Sequence, residues 1–158
     1  MTGRESQGVA YVALQAALLL GIAAAPSFDR RPVTDTPLIG RPLTCVGTLL
    51  MLVGVVLGVW GGRSLGRNLT PLPTPRTEAT LTETGAYRYA RHPIYGGLLL
   101  AAAGWSLRRR SVAALLLTAG LGGLFMAKSR FEEAALTRRF PEYPAYRRRV
   151  HRFLPGVW

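Results

Sequence analysis

The chain alternates long uncharged stretches with shorter charged ones. The uncharged stretches cover residues 9–25, 42–62, 93–107 and 111–127. A helix of about 20 apolar residues crosses the hydrocarbon core of a bilayer, and the first two stretches meet that length. The third and fourth are shorter and only three arginines separate them, which predicts a tight helical hairpin. The pattern therefore predicts an all-α polytopic membrane protein with about four transmembrane helices.

The first apolar stretch has an alternative interpretation. The alanines at 23–25 resemble a signal-peptidase site at the end of an apolar run. However, Arg4 is the only basic residue before that run, and cleavage would leave Pro26 at the new N-terminus. We therefore expect a retained membrane helix and one integral-membrane domain over residues 1–158.

Composition narrows the class of protein further. The chain has 158 residues, is 49% hydrophobic and 18% charged, and carries a formal charge of +12. A disordered polycation is excluded because such chains have low hydrophobicity. A nucleic-acid partner is not expected, since the basic residues are dispersed among the loops between apolar stretches. The single cysteine, Cys45, excludes a disulfide framework and a cysteine-based zinc site, and no metal site is predicted.

The distribution of basic residues predicts the orientation. With four crossings, the loop 63–92 and the tail 128–158 lie on the same side as the N-terminus. That side holds fourteen of the twenty Lys and Arg residues. Because cytoplasmic loops carry the excess of Lys and Arg, we expect this side to be cytoplasmic. We expect the tail to be helical and interfacial, with aromatic and basic side chains at headgroup depth.

The densest polar segment is residues 85–97, GAYRYARHPIYGG. His92 precedes Pro93, which suits the first position of the third helix, so His92 should lie at that helix N-terminus. Free backbone N–H groups there attract an anion, and Arg91 adds a guanidinium that can hold a carboxylate. Arg, His and Tyr are also common anchors at the membrane interface, so each residue alone is a weak signal.

A pair of adjacent acids, Glu132 and Glu133, follows the fourth apolar stretch. A capping box starting at Ser129, or a solvated pair, is the commonest role for such residues. Helix geometry separates neighbouring side chains by about 100°, so we expect that the two cannot serve one point together. One would face the 85–97 segment, and the other water or an arginine.

Several motifs in combination resemble a known family. LGRNLTPLP precedes GAYRYARHPIYGG, and EEAALTRRFPEYPAYRRRVHRFLP follows it. Together these segments, over residues 65–155, resemble the isoprenylcysteine carboxyl methyltransferase family. Its members are integral-membrane enzymes that use S-adenosylmethionine, and phospholipid methyltransferases share their C-terminal signature. Two features depart from the family: Pro141 replaces a common Gly, and the chain has fewer membrane helices than eukaryotic members.

The resemblance implies where the cofactor, S-adenosylmethionine, would bind. In the tail, Tyr143, Tyr146 and Arg152 would help to complete and cover the pocket. The residues implied in cofactor binding lie at the start of the third helix and in the acidic pair: Tyr87, Tyr89, Arg91, His92, Pro93, Tyr95, Glu132 and Glu133.

The chemistry of the donor suggests individual roles. Arg91 would meet its carboxylate, Glu132 or Glu133 its ribose or ammonium, and the ring of Tyr95 or Tyr89 its sulfonium. The acceptor is expected to be a lipophilic small molecule or lipid.

The nature of the acceptor decides whether a base is needed. A carboxylate acceptor needs no base, and Arg130 or Arg152 would orient it. An amine or hydroxyl acceptor needs one, either His92 or a glutamate such as Glu133.

Two other functions stay open at this point. One is a sterol-reductase-like membrane oxidoreductase that uses NADPH, since such enzymes resemble the family in their C-terminal portion. The other is a non-enzymatic lipid-binding protein whose arginines contact anionic headgroups. The sequence gives no prediction of oligomeric state.

Overall fold

A computed structural model describes residues 3–29, 37–70 and 80–156, and every regular element in these ranges is helical. The predicted all-α class is confirmed, and in the described ranges only an isolated bridge between Ala90 and His151 has strand-like pairing. The five α-helices are α1 (Gly3–Ala24), α2 (Pro37–Leu65), α3 (Pro93–Arg109), α4 (Val112–Arg139) and α5 (Tyr143–Arg149).

Three of the helices are long and apolar enough to cross a membrane. The candidate spans are Ser6–Ser27, Leu38–Asn68 and Val112–Arg139. Large apolar side chains along α2, such as Leu49 and Val56, are exposed, as expected for a surface that faces lipid. The chain is therefore an integral membrane protein.

The α3 helix is the short member of the predicted hairpin. Its 17 residues extend about 25 Å, less than the roughly 30 Å of a hydrocarbon core. Arg110 joins it to α4 in a left-handed conformation, with φ 54°. The Ser111 side chain then accepts a hydrogen bond from the backbone N–H of Ala114 and caps α4. This connection is the tight turn that the three-arginine spacer predicted.

The α4 helix is longer than its apolar stretch. It continues without a break past residue 127, through Glu132 and Glu133, to Arg139. The acidic pair therefore lies on the same rigid helix as the membrane-spanning segment, and its side chains have fixed directions relative to α3.

Glycines bring α2 and α3 into backbone contact. A Cβ atom on Gly54 would meet the carbonyl of Gly97, and one on Gly47 would meet the carbonyl of Gly104. The two pairs are seven residues apart in each helix, so they fall on one face. Small residues of this kind allow close helix packing in membranes.

The C-terminal tail returns to the start of α3. The backbone N–H groups of Arg91 and His92 donate to the carbonyls of His151 and Arg152, each over 2.8 Å. Gly96 provides the room, because a Cβ atom there would meet the carbonyl of Phe153. The tail thus fixes the backbone from which the predicted site residues project.

Candidate functional site

A cavity of about 420 Å³ lies beside the first turn of α3, a size typical of ligand pockets. Its walls come from α1, the end of α2, α3, α4, α5 and the short segment 80–82, and most of the lining surface is apolar. The chemistry-bearing side chains in the wall are Gln15, Tyr87, Arg91, His92, Tyr95, Lys128, Glu132, Tyr143 and Tyr146.

His92 lies between the two adjacent glutamates. Its Nδ1 is 3.4 Å from Glu132 Oε2, and its Nε2 is 3.2 Å from Glu133 Oε1. The expectation that the two acids cannot serve one point was therefore wrong. Two carboxylates about 100° apart on a helix can hold one imidazole, because its ring nitrogens lie on different edges. Burial by itself would lower the pKa of His92, but its bonds to the two carboxylates outweigh burial and raise it.

Behind His92, Glu133 is enclosed by three guanidinium groups, which we call the arginine cluster: Arg91, Arg147 and Arg152. Its carboxylate lies 3.0 Å from Arg91 Nε, 3.4 Å from Arg147 Nε and 3.3 Å from Arg152 Nη2. The Glu133 side chain is only 3% exposed. A buried carboxylate held by several cations links the parts of the chain that carry those cations.

The Arg91 side chain is engaged by Glu133 and by the tail. Its Nε donates to Glu133, and its Nη1 donates to the backbone carbonyls of Arg147 and Val150. These bonds join the start of α3 to α4 and to the tail. The geometry thus favours a positioning role over the cofactor-carboxylate role expected from sequence.

On the other side of His92, Glu132 faces the cavity. The Tyr95 hydroxyl donates a short hydrogen bond to Glu132 Oε1. The Tyr95 ring stacks between His92, at 5.5 Å between ring centroids, and Phe125, at 4.5 Å. We call Glu132 and Tyr95 the cavity face, because both line the cavity. A carboxylate in a mostly apolar wall suits a cationic ligand.

Three further tyrosines line the cavity. Burial raises the pKa of Tyr87, Tyr143 and Tyr146, so their phenols stay neutral and can donate hydrogen bonds. Tyr146 donates to the carbonyl of Tyr87 over 2.6 Å. The hydroxyl of Tyr143 is buried and has no hydrogen-bond partner within the described part of the chain. A buried hydroxyl without a partner is unfavourable, so a ligand in the cavity would satisfy it.

Some predicted site residues lie elsewhere. Tyr89 is 50% exposed and contacts Trp60 rather than the cavity. Arg130 projects from an exposed face of α4 and does not line the cavity. Pro93 is buried in the first turn of α3, where it begins the helix. Arg152 contacts Glu133 from behind His92 instead of reaching the cavity.

Sequence reasoning missed several polar residues in the cavity wall, Lys128 and Gln15 among them. Lys128 is 3% exposed, and its Nζ donates to Gln15 Oε1 over 2.9 Å. It also lies 5.0 Å from the centroid of the Tyr95 ring. Gln15 is the one strongly polar residue in the first apolar stretch. Lys128 contributed to the sequence analysis only through the number of basic residues on one side of the membrane. The spacing of Lys128 and Glu132, one helical turn apart, was the available signal.

Comparison with known proteins identifies the class. The profile of the phospholipid methyltransferase family matches residues 43–143, which include α3, most of α2 and all of α4. The chain belongs to this family of membrane methyltransferases.

A curated relative adds a second comparison. The nickel-cobalt-cadmium resistance protein NccN of Alcaligenes xylosoxydans xylosoxydans is 30% identical over 125 residues. The aligned region covers 78% of this chain and 54% of the relative, so the chain spans about half the length of that protein. The resistance in its name is a property of the relative.

Proposed function

We propose that the protein transfers a methyl group from S-adenosylmethionine to a lipophilic acceptor, with the donor in the cavity beside α3. The acceptor that fits best is a carboxylate on an apolar chain, such as an isoprenylcysteine-like group. The observation that carries the proposal is the cavity face, where the Glu132 carboxylate and the Tyr95 ring meet in an apolar wall. Family membership gives the reaction class, and the acceptor is argued from the site.

The side chains fit the groups that the donor presents. Its ammonium and sulfonium are cations, which the Glu132 carboxylate can receive. Its ribose and adenine carry hydrogen-bonding groups, which the unpartnered Tyr143 hydroxyl can meet. When bound, the donor supplies an electrophilic methyl group. Arg91 lines the cavity and holds Glu133 in place, so we assign it to positioning.

In this proposal the protein positions the donor and the acceptor and excludes water from the cavity. For a carboxylate acceptor no base is needed, because the oxygen is already a nucleophile. A dry, apolar site favours bringing an anion and a cation together, since both charges are neutralised in the reaction. His92 holds Glu132 and Glu133 through its two ring nitrogens, so its role is to orient Glu132 and not to remove a proton.

We also propose a side of the membrane. The first turn of α3, the acidic pair and the tail belong to or adjoin the segments 63–92 and 128–158, which together with the N-terminus hold fourteen of the twenty basic residues. The positive-inside rule favours a cytoplasmic location for these segments, where the donor is available.

A binding and activity experiment tests the proposal. Purified protein in nanodiscs is titrated with S-adenosylmethionine, with its demethylated product and with NADPH, and then incubated with labelled donor and a membrane lipid extract. We expect both methyltransferase ligands to bind, NADPH not to bind, and the label to enter a lipid. The matched control, Arg138→Met, removes an exposed charge from the same helix and should behave as the wild type. Binding of NADPH alone would replace this proposal with the oxidoreductase.

A further inference from the structure

The buried pair of Lys128 and Gln15 has no part in the reaction as derived so far. Both residues belong to membrane-spanning segments, Gln15 in α1 and Lys128 in α4, and both line the cavity. The ammonium of Lys128 contacts a neutral amide oxygen and an aromatic ring. Among the residues that the structure describes, no carboxylate lies within ion-pair distance of it.

A buried ammonium without a carboxylate partner is unfavourable unless another anion reaches it. The nearest candidate, Glu132, is one helical turn away, and its oxygens are held by Tyr95 and His92. Gln15 accepts one of the three ammonium hydrogens, and its side-chain NH₂ group provides two further donors at the cavity wall. The pair therefore presents hydrogen-bond donors and a positive charge to the cavity.

Depth in the membrane separates this pair from the donor site. Lys128 lies four residues before Glu132 on α4, which places it about 6 Å further along the helix axis into the spanning segment. The anionic head group of an amphiphile is attracted by an ammonium at this depth. A cationic donor, by contrast, is repelled by an ammonium and attracted by Glu132.

We propose that Lys128 and Gln15 form the subsite for an anionic oxygen group, carboxylate or phosphate, carried by the lipophilic acceptor. This inference rests on the proposed methyltransferase function and names the charge of its acceptor. It makes Lys128 a specificity-determining residue: it selects acidic amphiphiles over neutral ones of equal chain length.

The test uses short amphiphiles with one chain and different head groups. Protein in phosphatidylcholine nanodiscs is titrated by calorimetry with octanoate, octyl phosphate, 1-octanol and inorganic phosphate, with empty nanodiscs as background. The variants are Lys128→Met, Lys128→Arg and Gln15→Leu, with Arg138→Met as the matched control on the exposed face of α4.

For the wild type we expect octanoate and octyl phosphate to bind at least about tenfold more tightly than 1-octanol, as a charge-assisted hydrogen bond provides. Lys128→Met should lose that preference while it keeps the 1-octanol affinity, which also shows that the variant is folded. Lys128→Arg should retain most of the preference, and Gln15→Leu should reduce it.

Three results would overturn the inference. The first is an equal affinity of the wild type for acidic and neutral amphiphiles. The second is tight binding of inorganic phosphate at the level of octyl phosphate, which would mean a site for a free anion. The third is a loss of S-adenosylmethionine binding in Lys128→Met, which would assign Lys128 to the donor. A wild type that binds acidic amphiphiles but no S-adenosylmethionine would instead overturn the proposed function alone.

Discussion

Two adjacent glutamates on one helix have opposite surroundings. Glu133 is enclosed by the arginine cluster, and its oxygens are engaged by side chains of α3 and the tail. Glu132 is more exposed, belongs to the cavity face and has the Tyr95 hydroxyl and one edge of His92 as partners. Two adjacent residues of the same type can therefore have different roles. We expect Glu133 to stabilise the fold and Glu132 to be available to a ligand.

Removing the enclosed carboxylate should have the largest effect. Glu133→Ala leaves Arg91 and Arg152, which are 9% and 13% exposed, without their carboxylate partner. Losing one partner of a buried ion pair destabilises a protein by about 3–5 kcal/mol. We expect a lower thermal unfolding midpoint in detergent and no binding of S-adenosylmethionine. A variant as stable as the wild type would show that the contacts between Glu133 and the arginine cluster do not stabilise the fold.

Changing the cavity-facing carboxylate should affect binding and leave stability nearly intact. Glu132→Gln keeps the shape and the Tyr95 hydrogen bond but removes the negative charge. The affinity for S-adenosylmethionine should fall about tenfold to a hundredfold, as for loss of one charged hydrogen bond. Calorimetry measures the affinity, and the unfolding midpoint serves as its control. A large drop in stability with unchanged affinity would reverse the roles assigned to the two glutamates.

The pH dependence of stability should report the imidazole between the two regions. The pKa of His92 is raised in the folded protein, so the folded state binds the proton more tightly than the unfolded chain. The resulting stabilisation is complete below the unfolded value of about 6.5 and is lost as pH rises through the folded pKa. The unfolding midpoint of the wild type should therefore fall as pH rises above about 6.5, relative to that of His92→Gln. Parallel curves for the two proteins would contradict this.

The smallest effect is expected at the rim of the arginine cluster. The Arg147 side chain is 53% exposed, and exposed ion pairs contribute about 0–1 kcal/mol. Arg147→Met should therefore change the unfolding free energy by less than about 1 kcal/mol. Arg152→Met, whose side chain is 13% exposed, should be more destabilising in the same assay. Equal effects would mean that burial does not set the strength of this cluster.

Much of the fold follows from the order of apolar and charged residues. The uncharged stretches predicted the long helices, and the three arginines before Ser111 predicted the turn between α3 and α4. The His92-Pro93 pair placed the start of α3 correctly, because proline suits the first turn of a helix. These features depend on neighbours in the chain, so the sequence contains them directly.

The contacts within the site depend on distant parts of the chain. The tail pairs with Arg91 and His92 across about sixty residues, and the Arg91 side chain donates to Glu133 on α4. Sequence spacing could not show that one imidazole lies between both acids. The pairing of Gln15 with Lys128 depends on the packing of α1 against α4, which no local pattern encodes.

Photocrosslinking of labelled S-adenosylmethionine, followed by peptide mapping, tests the central claim most directly. The claim is that the donor occupies the cavity beside α3. The account predicts label on the peptides that carry Tyr95, Glu132 or Tyr143, removed by excess unlabelled product and strongly reduced in Glu132→Gln. Label confined to surface peptides, or label that excess product does not remove, would contradict it.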